Sequence, residues 1–135
     1  MKRIFNLICA TILTVGCQNQ VSYKDVREDV IVAHDKLMAD EDKTMNAKMA
    51  LDTLASTGLE ILKAQQADRD TAKMRSEIKI LTRKLNDASD QMSKWMENFK
   101  SDVTGKSNAE AVAYFKEEKL KVKRLDSLYQ VALKE

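Results

Sequence analysis

Apolar side chains recur through most of this 135-residue chain at alternating spacings of four and three, and no proline interrupts them. That rhythm places one stripe of each segment against a neighbour, as helices packed side by side require. It is cleanest at Met74, Ile78, Leu81, Leu85, Ala88, Met92, Trp95 and Phe99, over nearly four heptads. A later stripe runs through Ala111, Phe115, Val122, Leu125, Tyr129 and Ala132, with Leu128 beside it. Between the two, Gly105 is expected to stop the earlier helix. Ser107 and Glu110 then form a capping box that opens the later one, the hydroxyl and the carboxylate each taking a backbone N–H.

The first half carries two features that could break a helix, the acidic run Asp40-Glu41-Asp42 and Gly58 after Ser56-Thr57. One heptad phase nevertheless passes through both: Val26, Val30, Ala33, Leu37, Asp40, Thr44, Ala47, Leu51, Leu54, Gly58, Ile61 and Gln65. A break would reset the phase. One long helix is therefore expected, weakly packed near Asp40 and closely approached at Gly58, with its turn near residues 65–70, where two aspartates offer N-caps. The alternative is a turn at 56–58, with Thr57 and Glu60 as a second capping box. Charged residues make up 33% of the chain and aromatic ones 5%, a balance that suits solvated helices better than a sheet or a large core. The fold predicted is all-α: an antiparallel three-helix bundle made of a long helical hairpin plus a shorter third helix, with coiled-coil-like packing.

The N-terminus reads as an address. Lys2 and Arg3 precede an apolar stretch over 4–15, and its roughly twelve residues are too few to span a bilayer, which takes about twenty. The stretch ends in Leu13-Thr14-Val15-Gly16-Cys17, which resembles the lipobox of bacterial lipoproteins, with Thr14 where a leucine is commoner. The likeness implies cleavage before Cys17 and a lipid on its sulfur; an ordinary cleaved signal peptide is the alternative. The expected organisation is a signal peptide at 1–16, a lipidated tether at 17–24 and a helical bundle domain at 25–135. Cys9 leaves with the signal and the Cys17 thiol is consumed, so neither cysteine is left for redox or metal chemistry. Lys2 and Arg3 leave too, which equalises the 23 basic and 21 acidic residues of the full chain and gives no support for nucleic-acid binding. Gln18, with no aspartate in the second mature position, favours the outer membrane by likeness to other lipoproteins, and the lack of an acidic cluster there favours its periplasmic face.

No nucleophile motif, phosphate-binding glycine loop or metalloprotease signature occurs, and the acidic residues alternate with lysines as on a solvated helix face. The chain is accordingly read as a non-enzyme. Its unusual feature is methionine, together with one histidine. His34 and Met38 lie four apart on one helix, Met92 and Met96 four apart on the next, and a turn near 66 would bring the pairs level. Imidazole and thioether form a soft ligand set suited to Cu(I), and the intervening Trp95 could face a bound cation. Against a metal site built from His34, Met38, Met92 and Met96 stands ordinary core filling, since methionine packs irregular gaps and Met92 and Trp95 already sit on the stripe. Core filling is the stronger reading, and no cofactor is required.

The runs Val30-Ile31-Val32-Ala33-His34-Asp35-Lys36-Leu37-Met38, Trp95-Met96-Glu97-Asn98-Phe99 and Tyr114-Phe115-Lys116-Glu117-Glu118-Lys119 resemble small helical lipoproteins of Bacteroidota. Some of those carry the label "viral A-type inclusion protein", which reflects coiled-coil-like composition and implies nothing viral. The likeness departs at Ala39, where a proline or a kink would be expected. It implies a helical fold and an envelope address more than a function, since such proteins have no established activity. The function expected is that of a membrane-anchored structural or protein-interaction bundle with an envelope protein partner. A leftover apolar stripe could also pair with a second copy. The alternative is a periplasmic Cu(I)-binding lipoprotein.

Overall fold

The computed structural model describes residues 20–134, and within them every regular element is helical. Cys17 and the segment 1–16 lie outside the described residues. Helix α1 spans Tyr23–Thr53 and passes through a π-helical turn, Leu54–Gly58, directly into α2, Leu59–Gln65. After the turn at 66–70 come α3, Thr71–Asn98, and α4, Asn108–Lys134. The continuous first arm is roughly 65 Å long at about 1.5 Å per residue. It starts within the segment expected as tether, because Ser22 takes the Lys24 N–H on its Oγ at 3.2 Å and caps α1 two residues early. No kink accompanies Ala39, which is regular α-helix.

The expected turn near residue 66 is the one observed. The Asp70 carboxylate accepts the Lys73 N–H at 2.9 Å and starts α3. Antiparallel pairing follows, with Ser89 of α3 donating to Glu41 of α1 at 3.0 Å and Arg75 donating to the Ala55 carbonyl at 2.7 Å. The alternative turn at Ser56 to Gly58 does not form. Those residues stay helical but wind one residue wider, with the Leu59 N–H bonded to the carbonyl of Leu54, five back. The extra residue rotates everything beyond it. Inward positions continue as Ala55, Gly58, Leu59 and Leu62, so the expected continuation through Leu54, Ile61 and Gln65 is overturned: Leu59 is fully buried while Ile61 is 52% exposed. Gly58 is also not approached by another helix. A Cβ there would meet Leu54 Cδ1, of its own helix, at 2.7 Å.

Gly105 does not end α3. The helix stops at Asn98, where Phe99 turns extended and its N–H closes on the Trp95 carbonyl at 2.9 Å. Gly105, at φ +86°, instead shapes the 99–107 connection. The capping box forms as expected: Ser107 N–H donates to Glu110 Oε2 at 2.8 Å and Glu110 N–H to Ser107 Oγ at 3.3 Å.

Successive arms run antiparallel, the first being α1 continued into α2, which leaves α1 and α4 parallel, and these two make the most extensive contact between the described helices. At the base of the bundle the Asn108 side chain accepts from the Tyr23 N–H and donates to the Val21 carbonyl, both at 3.0 Å. Farther along, Lys119 pairs with Asp29 at 2.6 Å and Gln130 donates to Asp40 at 2.9 Å. The third helix thus packs on both arms of the hairpin and is the chief partner of the first. Val30, Leu37, Met92, Phe115, Val122 and Tyr129 form the centre of the core. The last turn of α4 shares a cavity with Leu51, Leu54, Leu81 and Leu85, and beyond that level the described hairpin continues as two helices.

Not all acidic residues are solvated, as the alternating charge suggested. Asp40 and Glu118 are buried, and Glu41 is half-buried. Asp40 accepts from Lys43 at 2.6 Å as well as from Gln130, and Glu41 accepts from Ser89 and from the Tyr129 hydroxyl. The expected weak packing at Asp40 is therefore a polar layer shared by all three arms, its buried groups paired as low polarity demands.

Candidate functional site

Trp95 joins the three arms near the base. Its indole ring lies 5.6 Å from the His34 imidazole of α1 and 5.0 Å from the ring of Phe99. Its Nε1–H donates to Glu118 Oε2 of α4 at 2.8 Å, and Lys121 Nζ holds the other carboxylate oxygen at 2.6 Å. This places a buried carboxylate where each oxygen has a donor. The same contact with Glu118 pushes the Lys121 ammonium above its ordinary range. Glu118 falls in heptad phase between Phe115 and Val122, so the gap in the α4 stripe was the available sign that this carboxylate points inward.

The four residues expected as soft ligands separate into three environments. His34, half-buried, and Met96, 44% exposed, line one cavity of about 150 Å³ with Trp95 and Phe99. Met92 is buried in the core cluster and Met38 lies on the surface outside that cavity. His34 Nδ1 is 3.1 Å from Asp35 Oδ1, which leaves Nε2 as the nitrogen open to a ligand. Chemically the cavity offers one imidazole nitrogen, one thioether and an aromatic wall, a partial soft-donor set. Among the described residues no three His, Cys, Asp or Glu side chains converge as a metal site. Met45 and Met49 are exposed on α1 and take no part.

Two other features bear on function. The hairpin exposes Ile61 at its two-helix end, and Ile80 and Leu54 near the level where α4 stops. At the opposite end, a cleft of about 390 Å³ opens between the start of α1 and the 101–106 loop. None of the described helices is long and apolar enough to cross a membrane. No family model, curated protein or solved structure matches the chain.

Proposed function

We propose that this is a lipid-anchored cell-envelope protein, one of the small helical lipoproteins it resembles, held at the periplasmic face of the outer membrane through Cys17. It acts without catalysis, by presenting the two-helix end of its hairpin to a protein partner. The observation that carries this reading is the exposure of Ile61, on the stretch of hairpin that no third helix covers among the described residues, with Ile80 and Leu54 exposed near the level where α4 ends. Two amphipathic arms without a third leave an apolar face that a partner helix can cover. That face lies at the far end from Ser22, so a tethered base and a reaching tip divide the molecule's work.

Two measurements test the reading. Labelled palmitate enters the wild-type chain and not Cys17→Ser. A photo-crosslinking residue at position 61 or 80 captures a protein in cells, whereas one at Lys116, exposed on α4 near the base, does not. Silence from both tip positions would remove the contact role even if the lipid is present.

A second reading, Cu(I) binding, is favoured by the cavity that His34, Met96 and Trp95 share. It narrows the ligand set to His34 and Met96, with Met38 and Met92 outside it. In anaerobic Cu(I) titration, His34→Ala and Met96→Leu weaken uptake and Met38→Leu does not. Equal uptake by all four proteins sinks this reading.

A further inference from the structure

The cleft at the base of the bundle is polar, and its charges are unevenly satisfied. Tyr23 and Arg27 of α1 form one wall, and Ser101, Asp102, Thr104 and Lys106 the other. Arg27 Nε is buried and has no hydrogen-bond partner among the described residues. No carboxylate among them lies within ion-pair distance of its guanidinium, although the chain places acidic residues at 25, 28 and 29. The one acidic group in the lining is engaged elsewhere: Asp102 Oδ1 accepts from Thr104 N–H at 2.9 Å and from Thr104 Oγ1–H at 2.6 Å. Those bonds hold its carboxyl below the ordinary range, so it stays ionised and offsets one of the two cations. The turn that carries Lys106 is closed by its own N–H on the Val103 carbonyl at 3.0 Å and depends on the positive φ of Gly105.

The Nε is closed to a ligand from the cleft, so the donors left to one are the Nη groups of a guanidinium that has no carboxylate partner among the described residues. The paired Nη edge of that planar fork matches two oxygens of one phosphate-class anion. Lys106 adds a point charge from the opposite wall, and the Ser101 and Thr104 hydroxyls lie on the same wall. We propose that this cleft is a binding site for a phosphate-class oxyanion, held by Arg27 through paired N–H donors and by Lys106 through charge. Because α1 begins at this end, the anion's source is either free phosphate or the phosphate of a lipid headgroup.

Both sources are tested on the full chain carrying Cys17→Ser, so that no acyl chain confounds membrane binding. One arm titrates inorganic phosphate and follows the Lys106 and Arg27 amide resonances. The other measures co-flotation with phosphatidylcholine vesicles with and without phosphatidylglycerol. Arg27→Gln is expected to weaken binding about tenfold or more, and Arg27→Lys to restore only part of it, because a point charge lacks the fork. Lys134→Gln, which removes the same charge from the other end of α4, leaves binding unchanged. Each variant is checked for unchanged helical content. Saturable phosphate binding that is lost in Arg27→Gln supports the site with free phosphate as its ligand. Flotation only with phosphatidylglycerol, lost in the same variant, supports it with a headgroup as its ligand. Binding to neither, or equal loss in Lys134→Gln, overturns the proposal.

Discussion

The indole Nε1–H of Trp95 donates to the buried carboxylate of Glu118 at 2.8 Å, across the interface of α3 and α4. This bond fixes the rotation of both helices, because neither group can turn away without leaving a polar atom unpaired in the core. Glu118→Ala is therefore expected to destabilise the fold by about 2 kcal/mol, read from urea denaturation. The double variant Trp95→Phe, Glu118→Leu should lose less than the sum of the two single ones, since removing both partners leaves no orphan. Strict additivity would mean that the bond contributes little beyond packing.

The second polar contact of the core predicts an alkaline limit. Burial raises the pKa of the Tyr129 hydroxyl, and its bond to Glu41 and the charge of that carboxylate raise it further. A folded pKa above the unfolded one, near 10, means that the stability linked to this group is complete below about pH 10. It is lost progressively as pH rises above that. Tyr129→Phe should flatten the fall in melting temperature above pH 10, at the expense of some stability at neutral pH.

An opposite sign applies at the start of α4. Hydrogen bonds from the Ser107 side chain and backbone lower the Glu110 pKa. The stabilisation linked to it is present above the unfolded carboxylate pKa and disappears as pH falls through the lower folded value. Glu110→Gln should thus melt lower than wild type at pH 7 and approach it in acid. A constant difference across the pH range would count against the capping box as the source.

The π turn makes a prediction confined to one end of the molecule. Arg75 donates to the Ala55 carbonyl within that turn at 2.7 Å and lies 3.1 Å from Glu60. Both contacts are exposed, so Arg75→Ala should cost less than about 1 kcal/mol in global stability. Hydrogen exchange should nevertheless accelerate at amides 55–62 while those around Trp95 and Phe115 stay protected.

Gly58 offers a gain. It sits at φ −62°, an ordinary helical angle, and an added Cβ comes closest to the end of the Leu54 side chain, Cδ1 at 2.7 Å, which is itself 37% exposed. Gly58→Ala should stabilise the hairpin by up to about 1 kcal/mol through helix propensity. A loss of stability would show that the Leu54 rotamer is held by the tip.

Much of this architecture was legible in spacing alone. The stripes of α3 and α4, the turn near residue 66, the Asp70 cap and the Ser107–Glu110 box all follow from short-range rules, because a helix brings residues three and four apart onto one face wherever it lies. The candidate ligands were legible only as residue types. His34 and Met96 share a cavity because α1 and α3 meet at that level, while Met92, four residues from Met96, faces the core.

Sequence by itself determined that the described chain is helical, where its arms turn and which stripe of each is apolar. Tertiary structure decided which arms hold each other most tightly, that carboxylates at Asp40 and Glu118 go inside, and that Leu59 replaces Ile61 as the inward residue. The reason is physical. Periodicity reports a preferred face, but a buried charge is tolerable only once a distant donor such as Trp95 or Gln130 is in reach. One extra residue in a π turn likewise rotates a helix by an amount that no local propensity records.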